Sequence, residues 1–444
     1  MKTPIFDFVK KYADSDISRF HMPGHKGKSF LGCERYDITE ISGADNLYFA
    51  DGIIAESEKN ASELFGTAKT LYSTEGSTLA IRAMLALVLP DAVNVGKRPT
   101  VLAARGAHKA FITTAALLDF DVEWIESERS HIASASVSAS EVRRSLMKAD
   151  APAAVYLTSP DYLGNISPIE EISAVCREFS VPLLVDNAHG AYLAFLEPSL
   201  HPIALGADMC CDSAHKTLPV LTGGAYLHIA KSARRYISDA RKKLSLFAST
   251  SPSYLILESL DLCNKYIEDG YRELLADTLV RVGEVKETIR RHGLCVCDGE
   301  PLKIVIKPNG FGYTGQELCD YLRAHGIEAE FSDCEYTVLM ATPENTDEDF
   351  RRLTSALPAL EKKDSLNIPA STQKSLPKRA MTIREAMLSE SELIPIDEAH
   401  LRVAAAPTVS CPPAVPIAVS GEVIDEDVIT LCKKYGINNI EVIK

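Results

Sequence analysis

From residue 55 to residue 229 the chain alternates helical spacing with short apolar runs, and this alternation limits its fold more than any other feature. "AESEKNASELFG" has helical spacing, and "STLAIRAMLALVL" reads as a second, amphipathic helix. "TVLAA" at 100–104 begins a series of strands, continued by "DVEWI", "AAVYLTSP", "VPLLVDNA", "ADMCCDSA" and "GGAYLHI". Between the first four stand the helical stretches "AHKAFITTAALL", "SEVRRSLMKAD" and "ISPIEEISAVCREFS". Short strands separated by helices of about ten to fifteen residues pack as a largely parallel, doubly wound sheet. Such sheets place their sites at the carboxyl ends of the strands.

A chain of 444 residues exceeds one ordinary core, so further domains are expected. Residues 1–45 read as a polar N-terminal arm, 46–255 as the large domain and 256–370 as a smaller α+β domain. In the smaller one "PLKIVIKP", "GFGYTGQELCDYLRAHGIEAEF" and "YTVLMATP" suggest a β-α-β unit. "EKKDSLNIPASTQKSLPKRA" looks like a linker, and 371–444 forms a C-terminal module. The net charge of −14 argues against a nucleic-acid or anionic-membrane surface and is compatible with a cationic substrate. "MKTPIFDFVKKYADSD" lacks a signal-peptide core, and no later run approaches the ~20 apolar residues of a membrane span. The 11 cysteines are odd in number, scattered and without a CxxC pair. A cytoplasmic protein with reduced, mostly core thiols and no metal site is the expectation.

Three features stand at or just after strand ends. "TEGST" precedes an apolar helix, and Gly76 followed by Ser77 and Thr78 suits an anion, because free N–H groups and the helix dipole face it. Asp186 ends "VPLLVD", and Lys216 lies between two apolar runs in "DSAHKTLPVLTGGAYLHI". Taken singly, plainer roles fit each: Ser77 as a helix cap, Asp186 as a turn former or metal ligand, Lys216 as an ion-pair partner. Taken together they match a pyridoxal phosphate site. That cofactor needs a phosphate cup, a carboxylate at its pyridine nitrogen and a partly desolvated lysine.

Eight collinear stretches extend the match: "FHMPGHKG", "ADNLYFADGII", "LYSTEGSTLAIRAML", "ARGAHKAF", "LTSPDYLGN", "LLVDNAHGAY", "DSAHKTLPVLTGGAYLHI" and "STSPSYLILESLD". With them the chain resembles the Orn/Lys/Arg decarboxylase family, and most closely its short bacterial branch without the N-terminal wing domain. "AAPTVSCPPAVPIAVSGEVI" resembles that family's C-terminal domain. The resemblance implies an aspartate-aminotransferase-like α/β fold (PLP fold type I) with a mostly parallel seven-stranded sheet. It implies decarboxylation of arginine, lysine or ornithine in polyamine biosynthesis, by a homodimer or dimer-based oligomer with shared active sites.

Residue by residue, it implies that Lys216 binds the cofactor covalently and that Asp186 pairs with the pyridine N–H. His108 would stack on the ring, and His189 would lie near the phenolic oxygen or the reacting carbon. Gly76, Ser77, Thr78 and Ser213 would hold the phosphate with His215 beside it, while Ser249 or Thr250 would reach a phosphate across the dimer. Glu330 best matches the acidic group that meets the basic end of the substrate, with Asp333 and Asp45 as rivals. Glu75 is a departure from the pattern, because a carboxylate beside a phosphate must turn away or meet a cation. The remaining readings are an aminotransferase or lyase on the same fold, or a non-catalytic homologue.

Overall fold

The computed structural model describes residues 1–93, 98–127, 131–134, 136–368, 376–409 and 414–444. Part of the expected linker and the "SCPP" of the C-terminal stretch lie outside these residues. The chain opens with α1 (Pro4–Ala13) and α2 (Ile53–Leu64), followed by strand β1 (Lys69–Ser73) and α3 (Gly76–Val93). Next come β2 (Thr100–Ala104), α4 (Lys109–Leu118), β3 (Asp121–Ile125), α5 (Ala139–Lys148) and β4 (Ala154–Thr158). Then follow α6 (Ile169–Glu178), β5 (Leu183–Asp186), β6 (Met209–Asp212), the short α7 (Ala214–Thr217) and β7 (Ala225–Ile229). These seven strands form one sheet in the order β1-β7-β6-β5-β4-β2-β3. The pairs β2–β3 and β5–β6 are parallel, whereas β7 is antiparallel to both β1 and β6. The expected α/β fold with a mostly parallel seven-stranded sheet is what the chain adopts.

Three local readings change. The apolar run on α3 is buried on every side, with Leu79, Ile81, Met84, Leu85 and Val88 all at most 2% exposed, so it is a core helix rather than an amphipathic one. Strand β1, hidden in the sequence between α2 and the Gly76 turn, forms the sheet edge beside β7. The polar arm begins with a helix, since Ile5 and Val9 are fully buried and both Ile5 and Phe6 donate their N–H groups to Asp261 Oδ2, at 2.9 and 3.0 Å. A carboxylate on those free amides does the work of an N-cap.

Contacts divide the chain into two compact units. One comprises Met1–Lys97, Ala151–Tyr156 and Ile169–Arg272; it contains α8 (Ile237–Ser245) and α9 (Tyr254–Glu268). The other comprises Arg98–Asp150, Leu157–Pro168 and Glu273–Lys444. Within the second, β8 (Cys295–Cys297), β9 (Lys303–Lys307), β10 (Phe331–Ser332) and β11 (Thr337–Met340) form a sheet in the order β10-β11-β9-β8. Its pairs are antiparallel, so the expected β-α-β connection returns through an antiparallel neighbour. Ile304, Ile306, Leu318 and Leu322 belong to its core.

The C-terminal segment of that unit has its own core around Ile417, Ala418, Ile424, Val428 and Val442. It is fastened to the "ARGAHKAF" turn by a buried ion pair. Arg105 Nη1 and Nη2 each donate to a different oxygen of Glu422 at 2.7 Å, Nη2 also donates to the Ile417 carbonyl, and the guanidinium lies over Trp124. Breaking a buried pair on one side strands the other charge, which costs about 3–5 kcal/mol. Glu422→Ala is therefore expected to lower the unfolding free energy by about that much. Urea denaturation monitored by Trp124, the one tryptophan, measures it directly. A loss below about 1 kcal/mol would show that Arg105 finds another partner or water.

Candidate active site

Strands β1, β5 and β6 run in the same direction, and their carboxyl ends deliver three polar turns. After β1, Ser73 Oγ accepts the Glu75 N–H at 3.1 Å and donates to the Gly76 carbonyl at 2.9 Å. Gly76 has φ 70°, a conformation that suits glycine, and from it α3 begins with its first N–H groups lacking intrahelical partners. A Cβ there would meet nothing within 4 Å, so the space beside this helix end is open. The Gly76 N–H donates to the Gly223 carbonyl at 2.8 Å, which ties the Gly-Gly turn after Lys216 to the same place.

Strand β5 is buried throughout and ends on Asp186, which is 2% exposed. Its carboxylate accepts from the Ala188 N–H at 3.2 Å, the Tyr156 hydroxyl at 3.3 Å and the Cys211 thiol at 3.6 Å. Burial and the neighbouring carboxylate push the Tyr156 phenol far above its ordinary range, so it stays a donor. Strand β6 ends on Asp212, and Ser213 opens the short α7 that carries His215 and Lys216.

Direct contacts link these turns within one compact unit. Ser213 Oγ donates to Ser77 Oγ at 2.9 Å, and the Lys216 N–H donates to the Ser213 carbonyl at 3.0 Å. Lys216 Nζ lies 3.0 Å from His189 Nε2, three residues beyond Asp186. Ser77, Ser213, Lys216 and His189 thus form one continuous path ending at the loop that Asp186 begins. Thr78 follows on the half-buried first turn of α3. His215 Nδ1 lies 2.9 Å from the Gly224 carbonyl and donates to it, while burial lowers the ring's pKa and favours the neutral form. Glu75 is exposed, and its Oε1 accepts the Ser249 N–H at 2.7 Å, so a backbone donor meets this carboxylate. Ser249 and Thr250 are themselves exposed.

The second unit carries the other expected residues. His108 is the N-cap of α4, with Nδ1 accepting the Ala110 N–H at 3.1 Å. Glu330 is exposed and accepts from the Tyr162 hydroxyl at 2.6 Å, which leaves its second oxygen for another donor.

Two expected substrate acids are used structurally instead. Asp45, in the first unit, accepts N–H groups from Asn46, Asp51, Gly52 and Ile54 through both oxygens, which caps the start of α2. Asp333 Oδ1 accepts from the Glu335 and Tyr336 amides, and its Oδ2 lies 2.8 Å from the buried His131 Nε2. These contacts give both carboxylates structural roles, Asp45 at the start of α2 and Asp333 beside His131.

Sequence reasoning passed over Asp212, His201 and His228. Both histidines point Nε2 at Asp212 Oδ2, at 3.0 and 3.1 Å, and all three residues are at most 1% exposed. Asp212 was visible as the residue directly before Ser213 in a motif already singled out. The histidines lie far from it in sequence and carried no such signal.

The family model described as Orn/Lys/Arg decarboxylase, major domain, matches residues 3–309, and that family's C-terminal domain matches 366–435. An arginine decarboxylase of Bacillus subtilis is 28% identical over 96% of this chain and 92% of its own length. An arginine decarboxylase of Halalkalibacterium halodurans is also 28% identical, over 96% of this chain and 91% of its own. The crystal structure of the Francisella novicida lysine decarboxylase LdcF shares the fold with a TM-score of 0.81 at 17% identity, covering 100% of this chain and 81% of that one. The path of contacts from Ser77 to His189 thus lies in a major domain that its family model matches over most of the chain, and the protein belongs to the Orn/Lys/Arg decarboxylase family.

Proposed function

We propose that this protein decarboxylates a basic amino acid, arginine first, with pyridoxal phosphate held at the carboxyl ends of β1, β5 and β6. The observation that carries this reading is the contact path from Ser77 through Ser213 and Lys216 to His189, with Asp186 at its end. The donor set suits the group. Hydroxyls and free helix amides beside open space fit a phosphate, Asp186 is a buried carboxylate at a strand end, and the Lys216 amine meets His189 in the loop that Asp186 begins. When bound, the cofactor supplies an aldehyde that condenses with an amine and a ring that withdraws electrons as a carboxylate leaves as CO₂.

The chain's own residues do the rest. Ser77, Thr78 and Ser213 hold the phosphate end, with His215 beside them. Asp186 keeps a positive charge at the ring nitrogen, and its three donors hold the carboxylate in one orientation. Lys216 and His189, in contact, are placed to return the proton that takes the position of the departed carboxylate. The family resemblance implies that His108 would stack on the ring. Arginine leads because the two relatives described above are arginine decarboxylases. The test is release of labelled CO₂ from carboxyl-labelled arginine, lysine and ornithine, with keto acid measured alongside. Keto acid without CO₂ from all three would overturn the proposal.

Glu330 is proposed to meet the basic end of the substrate through the oxygen that Tyr162 leaves open. A hydrogen bond to a charged group contributes about 1.5–3 kcal/mol, so Glu330→Gln should raise KM by roughly 10- to 100-fold. The same variant should leave kcat within about threefold, because this contact is equally present before and during reaction. An unchanged KM excludes Glu330. The protein is further proposed to be a homodimer. Phe20, Phe30, Leu31 and Phe49 are 81–96% exposed, an apolar set that a second copy would cover. Light scattering should give twice the chain mass, and a monomer at micromolar concentration would contradict this.

A further inference from the structure

Asp212 takes no part in the chemistry above, yet its carboxylate is fully buried at the end of β6. Its Oδ1 accepts from Asn187 Nδ2 at 2.7 Å, and its Oδ2 from the Nε2 atoms of His201 and His228. The tautomers agree with this. His201 Nδ1 accepts the Ile203 N–H at 3.4 Å, and His228 Nδ1 pairs with Thr70 Oγ1 at 2.8 Å, so both rings present Nε2–H to the carboxylate. Burial pushes the Asp212 pKa up, but the two histidines outweigh it and hold the carboxyl below its usual range. His201, Cys210 and Asp212 lie close enough to ligate a metal. Both histidine Nε2 atoms are nonetheless spent as donors, and a hydrogen-bonded network accounts for the cluster.

The network reaches the active site through Asn187. That residue donates its N–H to the Cys211 carbonyl at 2.9 Å and accepts the Gly190 N–H at 2.8 Å. Its side chain packs against that turn, since a Cβ at position 190 would come within 2.0 Å of Asn187 Oδ1. The turn, with Asn187 at its start, carries His189 against Lys216. On its other side Asp212 leads directly into Ser213 and α7. One buried carboxylate thus ties the loop bearing His189 to the segment bearing Lys216.

We propose that Asp212 is a positioning residue that, through Asn187, sets His189 against Lys216. This rests on the reading of Lys216 and His189 given above. The test is a mutant cycle with Asp212→Asn, Asn187→Ala, His189→Ala and the Asp212→Asn/His189→Ala double variant. The readouts are kcat, KM and the affinity of the apoprotein for pyridoxal phosphate. Asp212→Asn and Asn187→Ala should each lower kcat by roughly 10- to 100-fold with KM little changed, and weaken cofactor binding by about tenfold. In the His189→Ala background, Asp212→Asn should lower kcat by less than about threefold more.

Full multiplication of the two losses would overturn the proposal, because a purely structural role acts independently of His189. Wild-type kcat and cofactor affinity in Asn187→Ala would overturn it as well. If Asp212→Asn does not fold, Asn187→Ala leaves both histidines on Asp212 and carries the same cycle. A His189→Ala enzyme indistinguishable from wild type would instead remove the reading of His189, and the proposal would fall with it.

Discussion

Replacing Lys216 with alanine is expected to abolish CO₂ release, by about 10⁴-fold or more, together with the visible absorbance band of the lysine-bound cofactor. On the proposed reading two functions would be lost at once: the amine that holds the cofactor covalently, and a group placed to move a proton. Lys216 is half-buried, and its side chain meets His189 in a loop held by other bonds. The variant should therefore fold, and far-ultraviolet circular dichroism checks that it does. A folded Lys216→Ala protein that still releases CO₂ at more than about one-hundredth of the wild-type rate would remove Lys216 from the mechanism.

Asp186→Asn should leave the fold intact while lowering kcat by about 10²- to 10³-fold. The substitution keeps an oxygen for the Ala188 N–H and offers the Tyr156 hydroxyl an amide that donates to it. What disappears is the negative charge that, on the proposed reading, would favour a proton on the ring nitrogen. An electrostatic effect of this kind is large because the site is buried and its groups are already oriented. KM should move far less than kcat, since the charge matters most as electrons flow into the ring. Equal activity in wild type and Asp186→Asn would assign the pyridine nitrogen another partner.

The regular elements of the large sheet could be read from the chain because their residues repeat locally. "VPLLVD" and "MCCD" are continuous apolar runs, as strands covered on both faces must be. Strand β1 was harder to see, since "KTLYS" is short and its burial depends on β7 lying beside it. The run "STLAIRAMLALVL" has little polar content, so its spacing alone did not separate a surface helix from a core one. Burial on all sides settles the matter.

At the candidate site, residue type and order pointed to Lys216, Asp186 and the Gly76-Ser77-Thr78 turn, because the first two adjoin continuous apolar strands and the third opens an apolar helix. The acidic residues were another matter. Asp45 and Asp333 look as able to meet a cation as Glu330 does. Only folding shows that the first caps α2 through four amides and that the second lies against His131, while one oxygen of Glu330 stays open. A carboxylate's availability depends on which donors reach it, and those donors lie on other turns.

By itself the sequence determined the alternating architecture and the family pattern, and it pointed to the three residue types of the proposed cofactor site. These are properties of neighbours along the chain, and periodicity and motif spacing record them. Tertiary structure alone decided that Ser213 meets Ser77, that His189 lies 3.0 Å from Lys216, and that Asp212 gathers Asn187, His201 and His228. Each of these contacts closes a loop between distant segments. Hydrogen bonds form only where packing brings donor and acceptor to within about 3 Å, a separation that residue order does not encode.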